Sequence, residues 1–256
     1  MNRAIYPVLS GALAQERNLQ VFSNNIANVN TPGFKQDQQG FKAVMSRRLP
    51  GPGPVAGIHS IAQQIVSTPG GPNERVYTAP HHTRTTFEAG RTRITSNPLD
   101  VAIQGNGFFE IKTPHGTRYS RSGMFSLDNK RRLVTNTGFP VMGVKGEITV
   151  PSGTIQINGA GEIQVDGKAV GTIKVMEFAE QEMPVKSEDG LFAGGKAKTM
   201  AAPMLQPGHI EESNVNSLGE MVKMIQGMRS YESAQKMIQT IDRMAEVAIQ
   251  DVGRVL

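Results

Sequence analysis

Gly190-Leu191-Phe192-Ala193-Gly194-Gly195-Lys196-Ala197 follows the spacing of a phosphate-binding loop. In that loop backbone N–H groups cradle phosphate and a hydroxyl after the lysine holds Mg²⁺. Here Ala197 stands at the hydroxyl position, no apolar strand leads in, and Pro203 comes too soon for the helix that must follow. The segment therefore reads as a glycine turn. Gly105-Asn106-Gly107 lacks the third glycine of a dinucleotide fingerprint and runs into Phe108-Phe109-Glu110-Ile111, a strand pattern, so it reads as a tight β-turn. His59, His81, His82, His115 and His209 lack the spacing of helical metal ligands, and no Gly-x-Ser-x-Gly elbow occurs. With no Cys among 256 residues, Cys-ligated zinc, iron–sulfur clusters, thiol nucleophiles and disulfides are excluded. No catalytic, cofactor-binding or metal-ligating residue is assigned, and the chain is read as a non-enzyme.

The elements around these segments are more informative. Ile5, Ala12, Leu19 and Ile26 recur every seven residues, as do Val8, Gln15, Phe22 and Val29, while Glu16, Arg17, Asn18 and Gln20 lie between them. That is an amphipathic helix with one polar break in its seam. Pro7 is tolerated near its start, and Asn30-Thr31-Pro32-Gly33 stops it. At the other end Ser217-Leu218-Gly219-Glu220 reads as a capping box. It opens a long helix whose apolar positions run Leu218, Met221, Ile225, Met228, Tyr231, Ala234, Ile238, Ile241, Ala245, Ala248 and Val252. Such a seam is roughly 55 Å long and needs a partner alongside. The five methionines of this helix suit either a core or a surface that fits several neighbours.

Between the helices, residues 50–72 hold ten Pro or Gly in 23 positions, a connector composition. From Val101 to Phe192 short β-rich runs alternate with turns, the all-β pattern. Asp166-Gly167 suits a two-residue hairpin, because both turn positions need positive φ. Nine of the ten Phe lie between residues 34 and 192, so the aromatic core belongs to the middle. The expected fold is α+β: long N- and C-terminal amphipathic, coiled-coil-forming helices flanking a central, mainly antiparallel all-β domain. Its expected divisions are the N-terminal helix at 1–30, an extended connector at 31–76, the β domain at 77–207 and the C-terminal helix at 208–256.

The net charge of +5 hides a gradient. Residues 1–132 carry 16 basic and 7 acidic side chains, residues 133–256 carry 11 and 15, and so the halves are +9 and −4. The longest basic run, Lys130-Arg131-Arg132, lacks the aromatic interleaving of a nucleic-acid surface. Opposite-sign surfaces meeting between neighbouring molecules are expected instead. No apolar run reaches the length of a membrane span, and Pro7, Ser10 and Gly11 dilute the N-terminal stretch that would otherwise imitate a signal peptide.

Ser23-Asn24-Asn25-Ile26-Ala27-Asn28-Val29-Asn30-Thr31-Pro32-Gly33-Phe34-Lys35 closely resembles the N-terminal signature of bacterial flagellar rod and hook proteins. Asn97-Pro98-Leu99-Asp100-Val101-Ala102-Ile103-Gln104-Gly105-Asn106-Gly107-Phe108-Phe109 resembles a second family segment. Glu212-Ser213-Asn214-Val215-Asn216, followed by Glu220-Met221-Val222 and Arg229-Ser230-Tyr231-Glu232, resembles a third, in the family's order. The resemblance implies a rod component rather than the hook, and Ile148-Thr149-Val150-Pro151 and the short connector lean toward the proximal rod type, FlgF, over the distal type, FlgG. It implies a helical tubular drive shaft that crosses the periplasm and transmits torque. The partners it implies are copies of the same chain, other rod proteins and the flagellar type III export apparatus, with export lacking a cleaved signal peptide. Neither nucleic acid, membrane insertion, a small-molecule substrate nor a cofactor is expected. On this reading Ile5, Val8, Ala12, Leu19, Phe22, Ile26 and the C-terminal seam form the assembly interface. A helical adaptor and a periplasmic wall hydrolase are the competing readings.

Overall fold

The computed structural model describes residues 5–47, 74–179, 182–187 and 190–253. Two helices bracket the chain, α1 over Ile5–Ala27 and α2 over Ser217–Gly253. The proline- and glycine-rich segment, residues 50–72, lies outside the described residues. The first part of the expected connector at 31–76 does not: Asp37–Arg47 is a strand, paired with the strand Glu74–Thr85. No described helix is long and apolar enough to cross a membrane.

By contact the chain divides into two compact units. A terminal unit gathers the described parts of Met1–Ser23, Gln39–Arg84 and Met221–Leu256; a β unit gathers Asn24–Gln38 and Thr85–Glu220. The division falls within both helices, so the last turn of α1 and the first turn of α2 belong to the β unit.

The β unit is built on a six-stranded antiparallel sheet, ordered Val185–Lys186, Phe192–Ala193, Gly116–Ser120, Phe108–Thr113, Val175–Glu177, Lys198–Thr199. A three-stranded antiparallel meander covers Ile155–Ile157, Glu162–Val165 and Lys168–Thr172. Its second hairpin turns at Asp166-Gly167, with φ 49° and 78°, the paired positive values expected from the sequence. Two further antiparallel pairs bring distant segments together: Val101–Gln104 with Met204–Pro207, and Thr92–Ile94 with His209–Glu211. Successive side chains on a strand point to opposite faces, and Phe108-Phe109 uses both. Phe109 joins the main aliphatic core around Val101, Ile111, Leu133 and Val175. Phe108 joins a separate aromatic cluster with Phe178 and Phe192, packed edge to face.

The capping of α2 differs from the expectation. Asn216, not Ser217, presents the side-chain oxygen that meets a first-turn N–H, accepting from Gly219 at 3.1 Å. Glu220 then lies one position too far along for the reciprocal contact of a capping box, and its carboxylate turns elsewhere.

Candidate functional site

Three sequence segments, 24–37, 88–121 and 211–220, converge within the β unit on a buried polar network. The end of α1 supplies its first member. Asn25 is fully buried, and its amide pairs with the backbone of Asp37 as a strand neighbour would: Nδ2 donates to the Asp37 carbonyl at 2.8 Å, and the Asp37 N–H donates to Oδ1 at 3.0 Å. The same Nδ2 donates to Glu220 Oε2 at 3.0 Å, and Gln36 Nε2 donates to Glu220 Oε1 at 2.9 Å. Glu220, in the first turn of α2, is 1% exposed. A carboxylate there also meets the positive end of the helix dipole.

The chain reaches this arrangement through Gly33. Its φ of 71° and the 2.3 Å between a hypothetical Cβ and the Ser122 nitrogen leave room only for hydrogen. The Gly33 N–H donates to the Glu211 carbonyl at 2.8 Å. Phe34 is buried beneath the Lys186 ammonium, 3.7 Å from the ring centre, and Lys186 is itself paired with Asp37 at 2.8 Å. Lys35 turns inward and donates to Glu211 Oε1 and to the Glu88 carbonyl, both at 2.7 Å. Burial pushes the Lys186 ammonium below its ordinary range, against the pull of Asp37.

Glu211 is the centre of the network. Its carboxylate accepts from Lys35, from the Gly90 N–H at 2.9 Å and from Arg121 Nε. Burial alone would raise its pKa, but Arg121 and then Lys35 outweigh burial and hold it below the ordinary carboxylate value. Lys35 shows the opposite balance, since burial lowers its pKa by more than Glu211 restores. One anion between two cations gains from both, whereas each cation shares the one anion. Arg121 also donates from Nη1 to the Gly107 carbonyl and from Nη2 to the Ile103 and Gly105 carbonyls. The glycine turn that imitates a dinucleotide motif is thus held by a guanidinium through its backbone. Gly107 has a separate constraint: a Cβ would meet Val175 Cγ1 at 2.8 Å.

Asn214 completes the junction, accepting from the Gln36 N–H at 2.7 Å and donating to the Thr86 and Glu88 carbonyls at 2.9 and 3.1 Å. Ser213 accepts from the Val215 N–H, and Val215 is buried. Other signature residues act locally. Asn28 donates to the Asn24 carbonyl at 2.9 Å in the turn after α1, and Ala27 is exposed. Asn97 accepts from the Leu99 N–H and donates to Asp100, folding the turn that carries Pro98. The contacts of Asn214 each tie one described segment of the β unit to another.

The expected assembly seam on α2 divides in two. Tyr231, Ala234, Ile238 and Ile241 are buried or half-buried, as are Met224 and Gly227 beside the expected seam, and the position of Gly227 faces Leu19 and Phe22 of α1. Leu218, Met221, Ile225 and Met228, placed on the same seam by sequence, are exposed, Leu218 at 72%. With Val222 they form a second apolar stripe, roughly 150° around the helix at 3.6 residues per turn. A period mixing threes and fours does not say which of two stripes an early residue joins. On α1, Ala12 is buried and Val8, Leu19, Phe22 and Ile26 are half-buried; the side chains of Ile5 and Val252 lie outside the described residues. The basic run makes contacts of its own. Arg132 pairs with Asp128 and Glu147, and Arg131 donates to the Val150 and Pro151 carbonyls, so both are engaged within the β unit.

Comparison with known proteins places this junction in a family. Residues 5–35 match the description "Flagella basal body rod protein", 102–165 "Flagellar hook protein FlgE/F/G D1 domain" and 206–251 "Flagellar basal body rod FlgEFG protein C-terminal". The chain belongs to the flagellar basal-body rod FlgE/F/G family. The flagellar basal-body rod protein FlgG of Caulobacter vibrioides is 34% identical, over 97% of this chain and 98% of the relative. FlgG of Bacillus subtilis is 32% identical over 96% and 97%, and the rod protein FlgF of Escherichia coli 31% over 94% and 95%. The relatives are mostly of the FlgG type, so the expected leaning toward the FlgF type is not supported. None of these descriptions names a catalytic family.

Proposed function

We propose that this chain is a structural subunit of the distal part of the flagellar rod. The reading is carried by end-to-end similarity to FlgG-type proteins, and the meeting of three family signature segments on one buried network supports it. Copies of the chain assemble with one another and with other rod proteins into a helical tube crossing the periplasm, reached through the flagellar type III export apparatus. A repeated contact between different surfaces of identical subunits generates such an open helical assembly. The second apolar stripe of α2, with Leu9 and Leu13 of α1 also exposed, provides surface for those contacts. Torque passes through many simultaneous subunit contacts and not through any reaction.

Complementation tests the position. The gene is expressed in a flagellated host lacking its own FlgG and, separately, in one lacking its FlgF, and the basal bodies are imaged. Full-length rods and motility restored only in the FlgG-deficient host are expected. Restoration only in the FlgF-deficient host overturns the distal assignment.

A further inference from the structure

Among the α2 residues whose side chains are described, only Glu220, Gly227 and Ile241 are buried, and of these Glu220 alone belongs to the β unit. In α1, buried positions are likewise sparse, namely Ala12, Ala14 and Asn25. Asn25 lies in the last turn of α1 and Glu220 in the first turn of α2, and they hydrogen-bond to each other 195 positions apart in sequence. Each helix therefore has one turn fixed by the β unit, and that turn is at its inner end.

Fixing the first turn is the unfavourable step in making a helix; adding residues to an existing turn costs far less. We infer that Asn25, Gln36 and Glu220 form a positioning lock that supplies a preformed nucleus for both terminal helices, so that they grow outward from the β unit when subunits assemble. The Asn216 cap adds to the nucleus of α2 by occupying a first-turn N–H. The role in assembly rests on the rod-subunit reading; the nucleus itself does not.

Amide hydrogen exchange on the full-length monomer, followed by polymerisation kinetics, tests both parts. Protection is expected to be highest at amides 24–27 and 219–222, the first helical amides of α2 with acceptors, and to fall toward residues 5 and 253. Glu220→Gln replaces one acceptor with a second donor facing the Gln36 amide. It should lower protection in those two turns about tenfold or more, the loss expected for a buried charge-assisted hydrogen bond, while strands 101–104 and 108–113 keep theirs. It should also lengthen the polymerisation lag. The double variant Gln36→Glu/Glu220→Gln exchanges donor and acceptor, preserves net charge and should restore both. Even protection along the helices, an unchanged Glu220→Gln profile or failure of the double variant to rescue overturns the lock. A normal protection gradient in a chain that never joins a rod overturns the rod reading instead and leaves the nucleus standing.

Discussion

Lys35 and Glu211 are separated by 176 positions in the chain and by 2.7 Å between Nζ and Oε1. With Arg121 on the other carboxylate oxygen, this places one anion between two cations, all nearly inaccessible to solvent. Taking charges out of water is costly, and an incomplete set costs more than the complete one. The triad thus works as a check that the segment after α1, the Arg121 segment and the segment before α2 are all in place.

Removing its members should have unequal effects. Glu211→Gln leaves two buried cations without their anion and should destabilise the β unit by about 3–5 kcal/mol. Lys35→Met leaves Glu211 paired with Arg121 and should cost less. Urea unfolding followed by circular dichroism gives both values, and equal losses would contradict the shared-anion geometry.

Acid should act through the same carboxylate. Glu211 is held below its ordinary value of 4.5 in the folded chain. Its contribution is complete above the unfolded pKa and is lost as pH falls through the folded one. The urea midpoint should therefore fall below pH 4.5, and more steeply in the wild type than in Glu211→Gln. Parallel acid limbs for the two proteins would remove Glu211 from the explanation.

Two glycines separate backbone conformation from space. Gly105, at φ 88°, has nothing within 4 Å of a hypothetical Cβ, and its change to Ala should cost about 1 kcal/mol from left-handed geometry alone. Gly33 combines a similar φ with the Ser122 backbone, and Gly33→Ala should cost more than about 2 kcal/mol. Thermal melts of the two variants rank them directly.

The outer stripe of α2 should matter to assembly and not to the isolated fold. Ile225 is exposed, so Ile225→Asp should shift monomer stability by no more than about 0.5 kcal/mol. The same change should block incorporation into rods. Normal incorporation would show that this stripe faces solvent in the assembly.

Much of the fold is local and was legible in the sequence. Heptad spacing and the Asn30-Thr31-Pro32-Gly33 stop place the first helix close to its observed Ile5–Ala27, and Asp166-Gly167 marks a hairpin because its turn geometry is chemical. The network was not legible. Lys35, Arg121 and Glu211 look like ordinary surface charges until strands 92–94 and 209–211 pair, and nothing within a few residues of any of them announces the partner. Lys35 carried the best available hint, as a charged residue closing a motif otherwise built of small, amide and apolar side chains. The capping box failed for a related reason: Glu220 had a tertiary partner that outcompeted its local one.

Arg121 grips the 103–107 turn by its carbonyl oxygens, so it recognises the path of the chain and is indifferent to the side chains along it. Gln104 and Asn106 point outward from that grip and are exposed. A saturation-mutagenesis map of this turn should show alternation: broad tolerance at 104 and 106, and near-absolute restriction at 107, where a Cβ has nowhere to go. The turn can thus change its surface chemistry, and with it whatever abuts it in an assembly, without renegotiating the fold beneath.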